Sequence, residues 1–187
     1  GLCSGFLRPY ARQLVGVDLS SAMLQRARAT GRYVSLVEAE LGDFLDKHEQ
    51  SFDICAFVDV LTYFGDLSAI LSSAARALKP NGLLAFTVEK SNCPGSHLHP
   101  TGRYSQHPDH VRAALAGSGL QAVELTEAVI RTEGNAPVDG LIVSAGCTET
   151  QAWRAYCELR RQIEPWTCVA SDAADAIAAC RALIESQ

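Results

Sequence analysis

The chain has 187 residues, 48% of them hydrophobic and 20% charged, with a formal net charge of −5. This composition fits one globular domain with an appendage, and its acidic balance argues against a nucleic-acid backbone as ligand, because phosphate binding needs a concentrated basic face. No apolar run approaches the roughly 18–20 residues that span a bilayer, and the first residues lack a signal-peptide pattern, so no membrane partner is expected.

The opening stretch, GLCSGFLRPYARQLVGVDLS, sets the reading. Leu2–Arg12 is weakly helical, with an end blurred by Pro9. Leu14–Val17 is a short β-branched and apolar run that closes on Asp18, and Leu19-Ser20-Ser21 then starts a helical pattern. An acid at the tip of a second strand is where nucleotide folds hold ribose hydroxyls, about 20 residues past a glycine-rich turn. Gly1 stands 17 positions before Asp18. The chain is therefore expected to begin inside the glycine loop of a βαβ unit.

Ser20 suits an N-cap for a helix to about Thr30, with Met23, Leu24 and Ala27 on one face and Gly31 as the stop. Val34–Val37 is a third-strand candidate leading into Glu38-Ala39-Glu40. Phe52–Asp59 is apolar between two acids and reads as a strand buried on both faces. Asp66 caps a predicted helix through Leu78, which Pro80-Asn81-Gly82 ends, and Leu83–Val88 is another buried strand. Strands alternating with helices imply a parallel α/β sheet with right-handed crossovers. His107-Pro108-Asp109 opens a helix through Ala116. Val123–Arg131 and Val138–Ala145 are strand-like and too close in sequence for a crossover, so they are predicted to pair antiparallel.

The seven cysteines (Cys3, Cys55, Cys93, Cys147, Cys157, Cys168 and Cys180) form no C-x-x-C pair. Scattered thiols of this kind fit a reduced, cytoplasmic protein better than a disulfide scaffold or zinc site. His97 and His99 lack a third ligand at metal-site spacing, so no metal is expected.

Several segments, in order and over Gly1–Gly146, resemble class I S-adenosylmethionine-dependent methyltransferases. They are LCSGFLRPYA, LVGVDLSSAMLQRAR, VEAELGDFL, FDICAFVDVLTYFGDL, ARALKPNGLLAFTVE, HLHPTGRYSQHPDHV and PVDGLIVSAG. The likeness extends to a bacterial subgroup often fused to tetratricopeptide repeats. It implies a Rossmann-like, mostly parallel α/β sheet finished by an antiparallel hairpin strand, with the first strand and most of the glycine loop upstream of Gly1. Residues 1–147 would form this domain and 148–187 a helical extension. The absent strand would lie between Leu14–Val17 and Phe52–Val58, leaving a cleft there or a place that another segment fills.

The resemblance also implies a site. Gly1 would be the last glycine of the loop and Asp18 would accept from the ribose hydroxyls; its alternative role is as an acid at the next helix's N-terminus. Leu19 and Met23 would cover the adenine, although Met23 also suits a core contact. Glu40 would take the adenine amino group, with Glu38 as its rival, and the Leu41 backbone would meet the ring. Asp59 and Val60 would meet the methionine part of the cofactor, with helix capping as the alternative for Asp59. Tyr63 and, in the loop Ser91–Gln106, His99, Arg103 and Tyr104 would face the methyl acceptor, a small molecule or a protein side chain. Because the sulfonium is already activated, alignment and exclusion of water can carry the reaction, and no residue is singled out as catalyst. Two other readings remain: a non-catalytic interaction module with this fold, and a nicotinamide-dependent oxidoreductase supported only by the strand–acid–helix geometry.

Overall fold

The computed structural model describes residues 4–9 and 11–147; the helical extension predicted for 148–187 and the glycine Gly1 lie outside the described residues. A single helical turn, α1 (Ser4–Leu7), is followed by β1 (Val15–Asp18), α2 (Ser21–Ala29), β2 (Ser35–Glu38), α3 (Leu41–Asp46) and β3 (Phe52–Phe57). Then come a 3₁₀ turn (Leu61–Tyr63), α4 (Ser68–Ala77), β4 (Leu78–Lys90), β5 (Ser96–Leu98), β6 (Tyr104–Gln106), α5 (Pro108–Gly117), β7 (Leu120–Glu133) and β8 (Ala136–Cys147).

Local chemistry sets the helix starts. The Ser20 hydroxyl accepts from Met23 N–H, making it the N-cap of α2, and Thr30 closes that helix. Glu40 caps α3, a helix the sequence reading lacked, by accepting from Asp43 N–H. Asp66 accepts from Ser68 N–H at the start of α4, and His107 does the same for Asp109 N–H at α5, where Pro108 takes the first turn.

The strands form two sheets rather than one. β1 and β2 pair parallel, with Asp18 opposite Glu38. The second sheet has the order β5-β6-β4-β8-β7, with β3 pairing β4 off this path, along Leu78–Phe86, before β6 pairs it at Glu89 and Lys90. β3 and β6 run parallel to β4, whereas β8 runs antiparallel to it and β7 antiparallel to β8. The predicted terminal hairpin is therefore present, with β7 at the edge. The expectation of a mostly parallel sheet is corrected to a mixed one, in which the long antiparallel ladders of β4, β8 and β7 dominate. Pro80-Asn81-Gly82 does not separate helix from strand as expected. It lies inside β4 as an irregularity, where the β3 register jumps from Leu78 to Leu83 and Asn81 takes a φ of 67°. The predicted loop Ser91–Gln106 likewise contains the hairpin β5–β6.

Among the described residues β1 has no ladder to β3, so β1 and β2 form a sheet of their own. The two sheets still share one core: Val15, Val17 and Val37 pack against the cluster built by Cys55, Phe57, Leu84, Phe86, Val88, Leu141 and Val143 with α4 and α5. Fully burying each large side chain there is worth about 1.5–3 kcal/mol. A smaller cluster, Ile130 and Ile142 with Ala128 and Val138, occupies the other face of the β7–β8 hairpin. No helix among the described residues is long and apolar enough to cross a membrane.

Candidate cofactor and acceptor site

Two groups of chemistry-bearing residues lie at the carboxyl ends of the parallel strands, where α/β folds place their ligands. The first is carried by β1 and β2. Asp18 ends β1, and its Oδ1 accepts from Ser20 N–H at 2.8 Å. That contact is the alternative role foreseen for Asp18, and it uses one oxygen; Oδ2 has no hydrogen bond among the described residues. Leu19, 70% exposed, and Met23, also exposed, stand open to solvent beside it. An apolar face presented next to a half-free carboxylate fits a ligand that is part aromatic ring and part diol.

Glu38 ends β2 directly opposite Asp18. Glu40 stands beyond that strand, with Oε2 committed to Asp43 N–H at 2.8 Å. Its cap role holds the carboxylate over the start of α3, and Gly42 leaves room for it: a Cβ there would stand 3.0 Å from Oε2. Leu41, the first residue of α3, turns its side chain toward the main core.

The second group gathers around Arg131 on β7. Its Nη1 donates to Asp59 Oδ1 at 2.9 Å, and its Nη2 donates to Glu89 Oε1 and, at 3.2 Å, to Glu133. The Arg131 side chain is 12% exposed. Burial opposes its charge, but the hydrogen bond donated to Glu89, the fields of Asp59 and Glu89 and the hydrogen bond donated to Glu133 outweigh it, raising the guanidinium above its ordinary range. Asp59, two residues past β3, has a φ of 56°, and its N–H donates to the buried Thr87 hydroxyl at 2.9 Å. Val60 packs on the core and Thr62, fully buried, donates to Glu89 Oε1.

Above this group, Arg103 pairs with Glu133 at 3.0 Å and lies 5.9 Å from the ring centre of Tyr63, which is 59% exposed. Tyr104 packs against Gly65, where a Cβ would stand 2.7 Å from its ring. His99 bonds Ser105 Oγ at 2.8 Å, and His97 faces the Pro94 carbonyl. Thus Asp18, Leu19 and Met23 share one edge, and Asp59, Tyr63 and Arg103 another. Sequence reasoning missed Arg131, Glu89, Glu133 and Thr62. Glu89 had a signal, as the first acid after a buried run, like Asp59; Arg131 had none.

The fold is the α/β fold of solved methyltransferase structures. The family described as "Methyltransferase domain" matches residues 1–86. Among solved structures, a Burkholderia thailandensis 1,6-didemethyltoxoflavin-N1-methyltransferase with bound S-adenosylhomocysteine is 18% identical with a TM-score of 0.59, the match covering 73% of this chain and 62% of that one. The [4+2]-cyclase SpnF is 16% identical with a TM-score of 0.60, over 72% and 66% of the two chains. At these identities the likeness shows the fold.

Among curated proteins, the ubiquinone biosynthesis O-methyltransferase of Idiomarina loihiensis is 30% identical over 96 residues, 49% of this chain and 40% of that protein. That of Hydrogenovibrio crunogenus is 30% identical over 98 residues, again 49% and 40%. The chain spans about two fifths of the length of these relatives.

Proposed function

We propose that the chain carries the cofactor and acceptor edges of an S-adenosylmethionine-dependent methyltransferase acting on a small-molecule or protein acceptor. The observation that carries this reading is the β1 edge: Asp18 with a free Oδ2, flanked by the exposed Leu19 and Met23, within the stretch that matches the methyltransferase-domain family. Relatives named as O-methyltransferases favour a hydroxyl acceptor.

When bound, the cofactor supplies an electrophilic methyl group on a sulfonium. In this reading Asp18 accepts from the ribose hydroxyls, Leu19 and Met23 cover the adenine, and Glu40 or Glu38 takes its amino group. Asp59 and Val60 meet the methionine portion. Tyr63, His99, Arg103 and Tyr104 align the acceptor and keep water out, which suffices for an in-line displacement when the acceptor atom is already nucleophilic.

The divided sheet supports a further element of the proposal. The cofactor would sit across the opening between β1 and β3, and a strand pairing with both edges completes its cradle. A second reading draws on the same feature: with the opening unfilled, the domain serves as a non-catalytic binding module. The [4+2]-cyclase SpnF, with a similar fold, is a case of one fold hosting different chemistries.

Calorimetric titration with S-adenosylhomocysteine and with NADH, on the chain and on a version extended upstream of Gly1, tests these readings together. S-adenosylhomocysteine binding without NADH binding supports the methyltransferase. Binding of neither by either version leaves the interaction module, and binding of NADH alone would replace the proposal with an oxidoreductase.

A further inference from the structure

Asp59 has a left-handed backbone, a conformation uncommon outside glycine that aspartate and asparagine adopt more readily than other residues. Its φ of 56° lies in that region, and such a backbone persists where its surroundings hold it. Gln50, Asn81 and Asn135 share that region, and of the four Asp59 alone carries an ionisable side chain. Two contacts fix it. Its N–H is held by Thr87 of β4, and its carboxylate by Arg131 of β7, 72 positions away in sequence.

The same arginine holds Glu89 at the end of β4, with Thr62 as a second donor to the same oxygen. Among the described residues, Arg131 is the one cation within ion-pair distance of either carboxylate. Each carboxylate keeps its other oxygen, Asp59 Oδ2 and Glu89 Oε2, without a hydrogen bond among those residues. The arrangement is not the one that stability alone would favour. Three carboxylates converge on one guanidinium, and Arg131 Nε is left buried without a partner, a cost that an apolar residue at this position would avoid.

We infer that Arg131 is a positioning residue, holding Asp59 and Glu89 so that their free oxygens face the methionine end of the cofactor and the acceptor entrance. The inference rests on the methyltransferase reading of Asp59. Arg131 touches no ligand itself. It acts by fixing the tips of β3 and β4 relative to each other, leaving the adenosine end, on β1 and β2, to Asp18.

The two ends can be probed separately in the form of the chain that binds S-adenosylhomocysteine. Adenosine reads only the β1–β2 edge, whereas S-adenosylhomocysteine reads both. Arg131→Met is expected to raise the Kd for S-adenosylhomocysteine about tenfold while leaving that for adenosine within about twofold. Arg131→Lys keeps the charge and loses the fork, so it should recover part of the loss. In an Asp59→Asn background, Arg131→Met should add much less than it does alone, because the two act as one unit.

Equal weakening of both ligands, or of neither, would make Arg131 a structural residue and overturn the inference while leaving the proposed function standing. Failure of every wild-type form to bind either ligand would remove the methyltransferase reading and this inference with it. If Arg131→Met does not fold, Arg131→Lys carries the comparison: a selective loss of S-adenosylhomocysteine supports the inference, and a uniform one or none refutes it.

Discussion

Asp18 does two jobs in this reading, and a pair of substitutions separates them. The first is visible: Oδ1 accepts from Ser20 N–H at 2.8 Å, tying the end of β1 to the start of α2. Asp18→Ala removes that bond, but Ser20 still caps α2 through Met23 N–H and water can reach the exposed turn. The stability cost should therefore be about 0.5–1 kcal/mol, the lower range for losing a capping oxygen. The second job is the proposed one. Losing a charged acceptor for two ribose hydroxyls should cost about 1.5–3 kcal/mol of binding, or about 10- to 150-fold in Kd.

Asp18→Asn is the sharper probe. Its amide oxygen still accepts from Ser20 N–H, so stability should stay within about 0.5 kcal/mol of wild type. Its charge is gone, and one of its two positions is now a donor, so the ribose is met by an NH₂ where it needs an oxygen. Urea unfolding gives the stability of each variant, and calorimetry with adenosine gives the affinity. The expected pattern is Asn nearly as stable as wild type yet clearly weaker in binding. If both variants bind adenosine as wild type does, while Ala alone loses stability, Asp18 is only the acid at the head of α2. The site assignment on β1 would then fall.

Phe86 is almost wholly buried between the strands and α4–α5, so Phe86→Ala should cost about 3–5 kcal/mol in urea unfolding; a loss under about 1 kcal/mol would contradict the single shared core. Gly140 sits where a Cβ would stand 2.6 Å from Ile130 side-chain atoms. Gly140→Ala should therefore lose about 1–3 kcal/mol by overpacking, and Gly140→Ala with Ile130→Val should regain part of it. Burial pushes the Cys55 thiol up to about 12, while Cys93 is exposed. Maleimide labelling followed by peptide mapping should modify Cys93 in the folded protein and Cys55 only after denaturation; early labelling of Cys55 would place β3 outside the core.

The local features of this fold were legible because they are written in adjacent residues. Ser20 before an amphipathic stretch, Gly31 after it, and Pro108 at a helix start each act within one turn of chain. The strand within Phe52–Asp59, though buried only at Cys55 and Phe57 rather than on both faces, and the hairpin pair β7 and β8 follow from composition and from the short connection within that hairpin. What escaped has physical reasons. The helix α3 is six residues long with Gly42 inside it, too short for periodicity to emerge, and its one local sign was the cap Glu40. The β5–β6 hairpin consists of three-residue strands whose existence depends on β6 docking against Glu89 and Lys90 of β4. Arg131 reads as an ordinary exposed cation in an alternating strand. Its partners lie 72 and 42 positions earlier, and only the strand order brings them together.

The two edges of the site meet at the one place where the sheet is not continuous. β1 and β3 each expose a row of ladder groups, yet Val15, Val17 and Phe57 contribute to the same core, so these edges lie inside the fold. Natural sheets protect exposed edges with charge, proline or bulges. Neither Val15–Asp18 nor Phe52–Phe57 carries proline, and their charged residues are confined to Asp18 and Asp53. Asp18 and Asp59 follow these two strands at their carboxyl ends, one on each side of the opening. In the proposed reading a bound cofactor would bridge them, its ribose on Asp18 and its amino-acid portion near Asp59. In that reading the site divides into an adenosine half, held by residues adjacent in sequence, and a methionine half, held by Arg131 across the fold. Adenosine and S-adenosylhomocysteine are the ligand pair that tells these halves apart.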